Sequence, residues 1–388
     1  MGKQMGKKPH YRLAKQMWVV LLGMCCLLAG CKGKGEAGND AAAGETASEV
    51  LWSSQLTSQT YGKEGSFYSE HNRVHFLDAA TGESAIICDE VACDHESRDC
   101  AAYFDGICYA TLEGDHLLMV TSHDSNLLWE YSVFETEVNG TNRKKLGDFG
   151  IMQSVYQVLF TEDNIIASYY NSVDENLEPM DESRAGIMVY DRKTNTSRVL
   201  WEKQAFNAIA GDIQYHEGKV YFSVFYYDVT MEELEQYGEQ RELLDDRTCF
   251  ELYSLDLEDG SSVLIQDGDW ETFDICQGRI WYDFEGSLWS YEIATGKKQK
   301  EQDRNFRVMQ CYVPDKLVLR DRENSGDYYT YAPGGDYRKL GTKKDVLVSV
   351  VYPDITWAMN YNTPTGNGEV VFWNTEEFLA GGEVWSEK

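Results

Sequence analysis

The chain has 388 residues, 43% of them hydrophobic and 26% charged, with only six prolines and with 13% aromatic side chains. This is globular composition and excludes disordered, collagen-like and mucin-like sequence. Basic side chains number 35 and acidic ones 65, a formal net charge of −30, which excludes general binding of a phosphate backbone. Residues Met1 to Lys15 carry five positive charges (Lys3, Lys7, Lys8, Arg12, Lys15) and no acid. The apolar run Met17 to Leu28 follows. It is shorter than the ~20 residues that span a bilayer. A charged stretch followed by a short apolar run is the pattern of an export signal. The run ends in Leu28-Ala29-Gly30-Cys31: a branched residue, two small ones, then cysteine.

These four residues resemble the lipobox of bacterial lipoproteins. The resemblance implies cleavage before Cys31 and acylation of that cysteine. It also implies a lipid bilayer as partner and a place on the outer face of the bacterial cytoplasmic membrane. Lys32 to Ser48 is small and polar and is expected to be a tether reaching roughly 20–25 Å. The expected division is 1–30 signal peptide, 31–48 lipidated cysteine and tether, and 49–388 a single domain.

The rest repeats. An alternating apolar strand, a turn with Asp or Asn and Gly, and a second short strand recur. The copies are Val74–Cys88, Leu128–Leu146, Ile187–Leu200, Leu252–Ile265, Leu288–Lys300 and Tyr328–Leu340, with a degenerate last copy at Val370–Trp385. Period-two alternation around such a turn is hairpin chemistry. Two more strand-like runs precede most copies, and the turns lie about 50 residues apart, a propeller spacing. The expected fold is all-β: a propeller of four-stranded blades, seven by this count, with six or eight also compatible. Val138-Asn139-Gly140-Thr141-Asn142 resembles the turn of Tol-type propellers. Asp78-Ala-Ala-Thr-Gly82 and Glu292-Ile-Ala-Thr-Gly296 are similar to the turn of quinoprotein-type propellers. The Trp that those enzymes place after the Gly is replaced by Ile86 and Lys300, against a quinone cofactor.

In a propeller the connections between second and third strands share a face with those between blades. Three long segments fall there: Asp89 to Ile107, Asn171 to Gly186, and Asp228 to Thr248. Long loops on a rigid scaffold are where binding usually sits. The last contains Thr230-x-x-Glu233, a capping box predicting a short helix near 230–245. Tyr169, Tyr170, Tyr226 and Tyr227 nearby are either ordinary strand residues or stacking surfaces for a ligand.

Seven cysteines follow Cys31. Cys88, Cys93, His95 and Cys100 form a C-x4-C-x-H-x4-C pattern. It suits a disulfide, which export favours, or a tetrahedral zinc, or free thiols; the disulfide is the expectation. Cys276 and Cys311 are expected between inner strands, as small apolar groups. Acidic loops at Asp321 and Asp267 could take calcium, though neither is an EF-hand; no cofactor is required. The lipobox, the segment Cys93 to Tyr103 and the repeats together resemble propeller lipoproteins of Gram-positive bacteria. That resemblance implies no activity.

No G-x-S-x-G, H-E-x-x-H or phosphate-binding loop occurs. The expected function is therefore a membrane-anchored, extracytoplasmic binding or interaction module. Its ligand would be a protein, peptide or glycan, with no nucleic acid, and the chain is expected to be monomeric. The alternative is a propeller hydrolase or lyase acting on glycan or peptide.

Overall fold

A computed structural model describes residues 52–54, 59–62, 64–125, 128–230, 232–234, 244, 246–268, 270–324, 326–361 and 369–381. The export signal, Cys31 and the tether lie outside them, as does most of the helical insertion at 230–245. Within the described residues the protein is nearly all β and propeller-like, a succession of antiparallel meanders. The first sheet runs β1 (Trp52–Ser54), β2 (Gln59–Tyr61), β3 (Gly65–Glu70), β4 (Arg73–Asp78), β5 (Ser84–Ile86). The second is β6 (Cys108–Glu113), β7 (His116–Ser125), β8 (Leu128–Glu137), β9 (Lys144–Met152). A longer sheet follows: β10 (Ser154–Phe160), β11 (Asn164–Val173), β12 (Pro179–Asp191), β13 (Thr196–His216), β14 (Lys219–Tyr227), β15 (Thr248–Asp256), β16 (Ser262–Asp267). Next is β17 (Phe273–Cys276), β18 (Arg279–Phe284), β19 (Ser287–Glu292), β20 (Lys297–Gln302). The last sheet holds β21 (Phe306–Cys311), β22 (Leu317–Asp321), β23 (Asp327–Tyr331), β24 (Tyr337–Thr342) and β25 (Val346–Val351), β26 (Ile355–Asn360), β27 (Glu369–Asn374). Its two groups are joined by a short parallel pairing of β21 with β25.

In three of the repeated hairpins an aspartate (Asp78, Asp191 or Asp256) organises the turn. Asp78 Oδ1 accepts from the N–H groups of Ala80 and Thr81, both at 2.8 Å. Asp191 Oδ1 does the same for Lys193 and Thr194. The turn then needs one left-handed residue. Gly82 and Gly296 supply it at φ 69° and 70°, and Asn195 takes that place at φ 56°, as its short polar side chain allows.

Two expectations are corrected. The last copy is not a hairpin: after β27 the chain turns into helix α1 (Thr375–Ala380). Asn374 caps it by accepting from Glu377 N–H, Glu376 and Glu377 fill its first turn, and left-handed Gly381 ends it, which together outweigh strand propensity. Asn171 to Gly186 is not an irregular loop either. β11 and β12 continue through it, pairing Asn171 with Arg184 and Val173 with Pro179.

β13 serves two meanders. Its first half pairs with β12, up to Ser183 opposite Ala205, and its second with β14, from Phe206 opposite Tyr227. Left-handed Asn207 lies just past the change of partner, and left-handed Asp212 at a second irregularity further along the pairing with β14. Apolar clusters fill the spaces between consecutive meanders; Leu159, Ile166 and Ile187 meet Ala210, Val220 and Val224 in one of them. Val350, Trp357 and Phe372 of the last strands pack against Leu77 and Ala79 of the first sheet. Trp357 Nε1 also donates to Gly62 O at 3.3 Å. The last described strands are thereby packed on the first sheet.

Candidate functional site

The segment Asp89 to Ile107 has no strand of its own, yet it is built into the gap between the first two meanders. On one side Val74 N–H donates to Ala102 O at 3.0 Å and Phe104 N–H to Asn72 O at 2.8 Å. Arg73 pairs with Tyr103 in an isolated bridge. On the other side Asn139 Nδ2 donates to Asp89 Oδ1 at 3.1 Å. Arg143 donates to Ala101 O and, at 3.2 Å, to Gly140 O. Its guanidinium lies 3.8 Å from the Phe104 ring centroid, a cation–π distance. Gly140 is needed there: a Cβ would stand 2.3 Å from Ala101 O.

This docking gathers the four residues singled out by the C-x4-C-x-H-x4-C pattern. The sulfurs of Cys88, Cys93 and Cys100 and a ring nitrogen of His95 all lie within 4.8 Å of one another. Cys100 Sγ is 3.5 Å from His95 Nδ1. Cys88 and Cys100 are buried, and Cys93 and His95 half-buried. His95 reaches inward from a left-handed backbone, φ 58°. All seven cysteines among the described residues are free. Burial raises the Cys88 thiol, but the N–H groups of Glu90 and Ala101 and the neighbouring sulfurs outweigh it and leave it lowered. Cys100 is pushed up to about 11, first by burial and then by the Cys93 and Cys88 sulfurs.

A second feature lies at the middle of β13. The β11–β12 hairpin and the β14–β15 connection, Asp228 to Arg247, both end beside Ala205 and Phe206. Between them is a cleft of about 400 Å³ lined by Asp181, Glu182, Gln204 and Thr230. The capping box is formed: Thr230 N–H donates to Glu233 Oε2 at 2.9 Å, and Glu233 N–H to Thr230 Oγ1 at 3.2 Å. The tyrosines nearby are committed to the scaffold. Tyr169 is buried and donates to Glu202. Tyr226 donates to Glu251 under the Lys203 ammonium.

Other candidates are accounted for. Asp321 accepts from Arg304 at 2.6 Å and from the N–H groups of Glu323 and Asn324, so it braces a turn. Cys276 and Cys311 are buried in β17 and β21, and burial lifts Cys276 to about 12. Sequence reading missed Arg143, whose partner segment is some 40 residues away with no motif joining them. It also missed Asp274 on β17. That carboxyl is 1% exposed and raised well above its ordinary value by burial, against the N–H groups of Cys311 and Ile275.

No protein-family model matches the chain, and no curated protein resembles it. Solved structures do align. A Pyrococcus horikoshii acylaminoacyl peptidase matches at 11% identity and TM-score 0.48, covering 80% of this chain and 48% of that one. Porphyromonas gingivalis dipeptidyl peptidase 4 matches at 11% identity and TM-score 0.43, covering 81% and 57%. A Synechocystis apocarotenoid oxygenase matches at 11% identity and TM-score 0.38, covering 84% and 70%. The chain spans about half the length of the two peptidases.

Proposed function

We propose that this chain is an exported, lipid-anchored propeller lipoprotein that acts as a binding module. Its meanders form seven blades: β2–β5, β6–β9, β10 to the first half of β13, the second half of β13 to β16, β17–β20, β21–β24, and β25–β27 with α1. The packing of Trp357 on Gly62 supports closure of the ring. The lipobox supports anchoring through Cys31, on the outer face of the cytoplasmic membrane.

The observation that carries the binding role is the cleft at the middle of β13. The β11–β12 hairpin and the start of the β14–β15 connection both contribute to it, and two exposed acids, Asp181 and Glu182, line it. A rigid scaffold with such a cleft favours a cationic ligand, and a basic peptide segment is the reading that fits the charge of the chain. Peptide and glycan arrays probed with the purified chain test this. Lysine- and arginine-rich peptides should be retained intact. Retention should fall at least roughly tenfold in the Asp181→Asn, Glu182→Gln double variant, as expected for losing ~1.4 kcal/mol or more of charge pairing. Failure to retain any basic peptide, or unchanged retention by the double variant, overturns the reading.

A further inference from the structure

We propose that Cys88, Cys93, His95 and Cys100 bind one zinc ion, and that this ion is a structural staple between the first two meanders. The inference is independent of the binding role above and rests on four observations.

The first is geometry. Tetrahedral zinc with bonds of about 2.3 Å to sulfur and about 2.0–2.1 Å to nitrogen puts its ligand atoms about 3.5–3.8 Å apart. The four donor atoms lie within 4.8 Å of one another, with Cys100 Sγ and His95 Nδ1 at 3.5 Å. A disulfide would instead bring one sulfur pair to ~2.05 Å, and the three cysteines are free. The imidazole would then be a bystander, yet it is turned inward from a left-handed backbone, a conformation uncommon for residues other than glycine.

The second is the donor set. Three sulfurs and one imidazole complete four-coordination and leave no open position, the mark of a structural site. Binding releases three thiol protons and leaves a centre of net charge −1. The third is what stands behind the cage. Arg143 is a fixed cation that donates to Gly140 O and to Ala101 O, the carbonyl next in sequence to Cys100, and it balances that charge. The fourth is local composition. Outside the cage residues the only apolar side chains from Asp89 to Arg98 are Val91 and Ala92, both exposed, so the stretch has no hydrophobic means of keeping its shape. A metal would supply that means, as it does in small metal-dependent folds.

The test uses the full-length chain, extracted in detergent from membranes of cells grown with zinc and purified without chelator. Elemental analysis should find roughly one zinc per chain, and X-ray absorption should give three sulfurs and one nitrogen. Cobalt(II) in place of zinc should give tetrahedral d–d bands with thiolate charge transfer. His95→Ala should lose the metal while Cys249→Ser keeps it. His95→Cys should restore zinc with four sulfurs, which separates a ligand role from a merely structural one. Denaturation in chelator followed by alkylation should modify Cys88, Cys93 and Cys100 alike. A linked pair among them, metal-free protein with all three reduced, or full zinc content in His95→Ala would each overturn the proposal.

Discussion

Trp357 tests whether the end of the chain closes on its beginning. Its side chain is fully buried and packs on Phe372 with ring centroids 5.1 Å apart, beside Leu77 and Ala79. Its indole N–H meets Gly62 O. Trp357→Ala removes this packing at a cost of about 3–5 kcal/mol. It also leaves a carbonyl without its donor, about 1 kcal/mol more. A loss of about 4–6 kcal/mol is a large part of the ~5–15 kcal/mol that a folded chain has. Urea unfolding followed by both far-UV circular dichroism and tryptophan fluorescence should show one transition at a much lower midpoint with unchanged slope. Trp357→Phe keeps a ring and loses the N–H, so it should fall by only about 1–2 kcal/mol. A fall of less than about 1 kcal/mol in the alanine variant would refute closure. So would two probes that part company, because the last strands would then unfold alone.

Cys31→Ser should release the protein into the medium, where fractionation and mass spectrometry of the N-terminal peptide would find it without acyl chains; continued membrane retention would count against the anchor. Asp274→Asn should change the pH dependence of stability. The native carboxyl lies above its unfolded value, so its contribution is most favourable at acid pH and is lost as pH rises through the native value. Melting of parent and variant should therefore agree near about pH 4 and diverge in favour of the variant by about pH 8. Gly140→Ala should cost more than about 2 kcal/mol, because its Cβ meets Ala101 O in a left-handed turn. Gly114→Ala, equally left-handed but open around the Cβ, should cost only about 1 kcal/mol; equal losses in thermal melts would discount the contact.

The hairpins were legible because alternation and turn chemistry agree locally: Leu252 to Ile265 reads apolar-polar around Asp256 and Gly260, and it pairs as read. The extended β11–β12 hairpin was not, because Asp181 and Glu182 of β12 face water and leave no apolar rhythm to detect. Helix α1 was hidden by the repeat itself. Asn374 and Gly381 are ordinary helix punctuation, but a seventh copy of a hairpin was expected at that place. At the cysteine segment the spacing gave the right four residues and could not choose among their chemistries. What distinguishes them is where Gly140 and Arg143 hold Ala101, and a contact between separate meanders leaves no mark in the spacing of either.

The shared strand β13 has a consequence for how the molecule can be cut. Two adjacent meanders hang from one ribbon of 21 residues, so hydrogen exchange along it should report a single slow unit. A nick within that ribbon would release edges on both meanders at once. The short connection between β16 and β17 is carried by no such continuity. New termini for a circular permutant therefore belong near Gly268, where the chain passes from one sheet to the next and few ladder bonds would be lost.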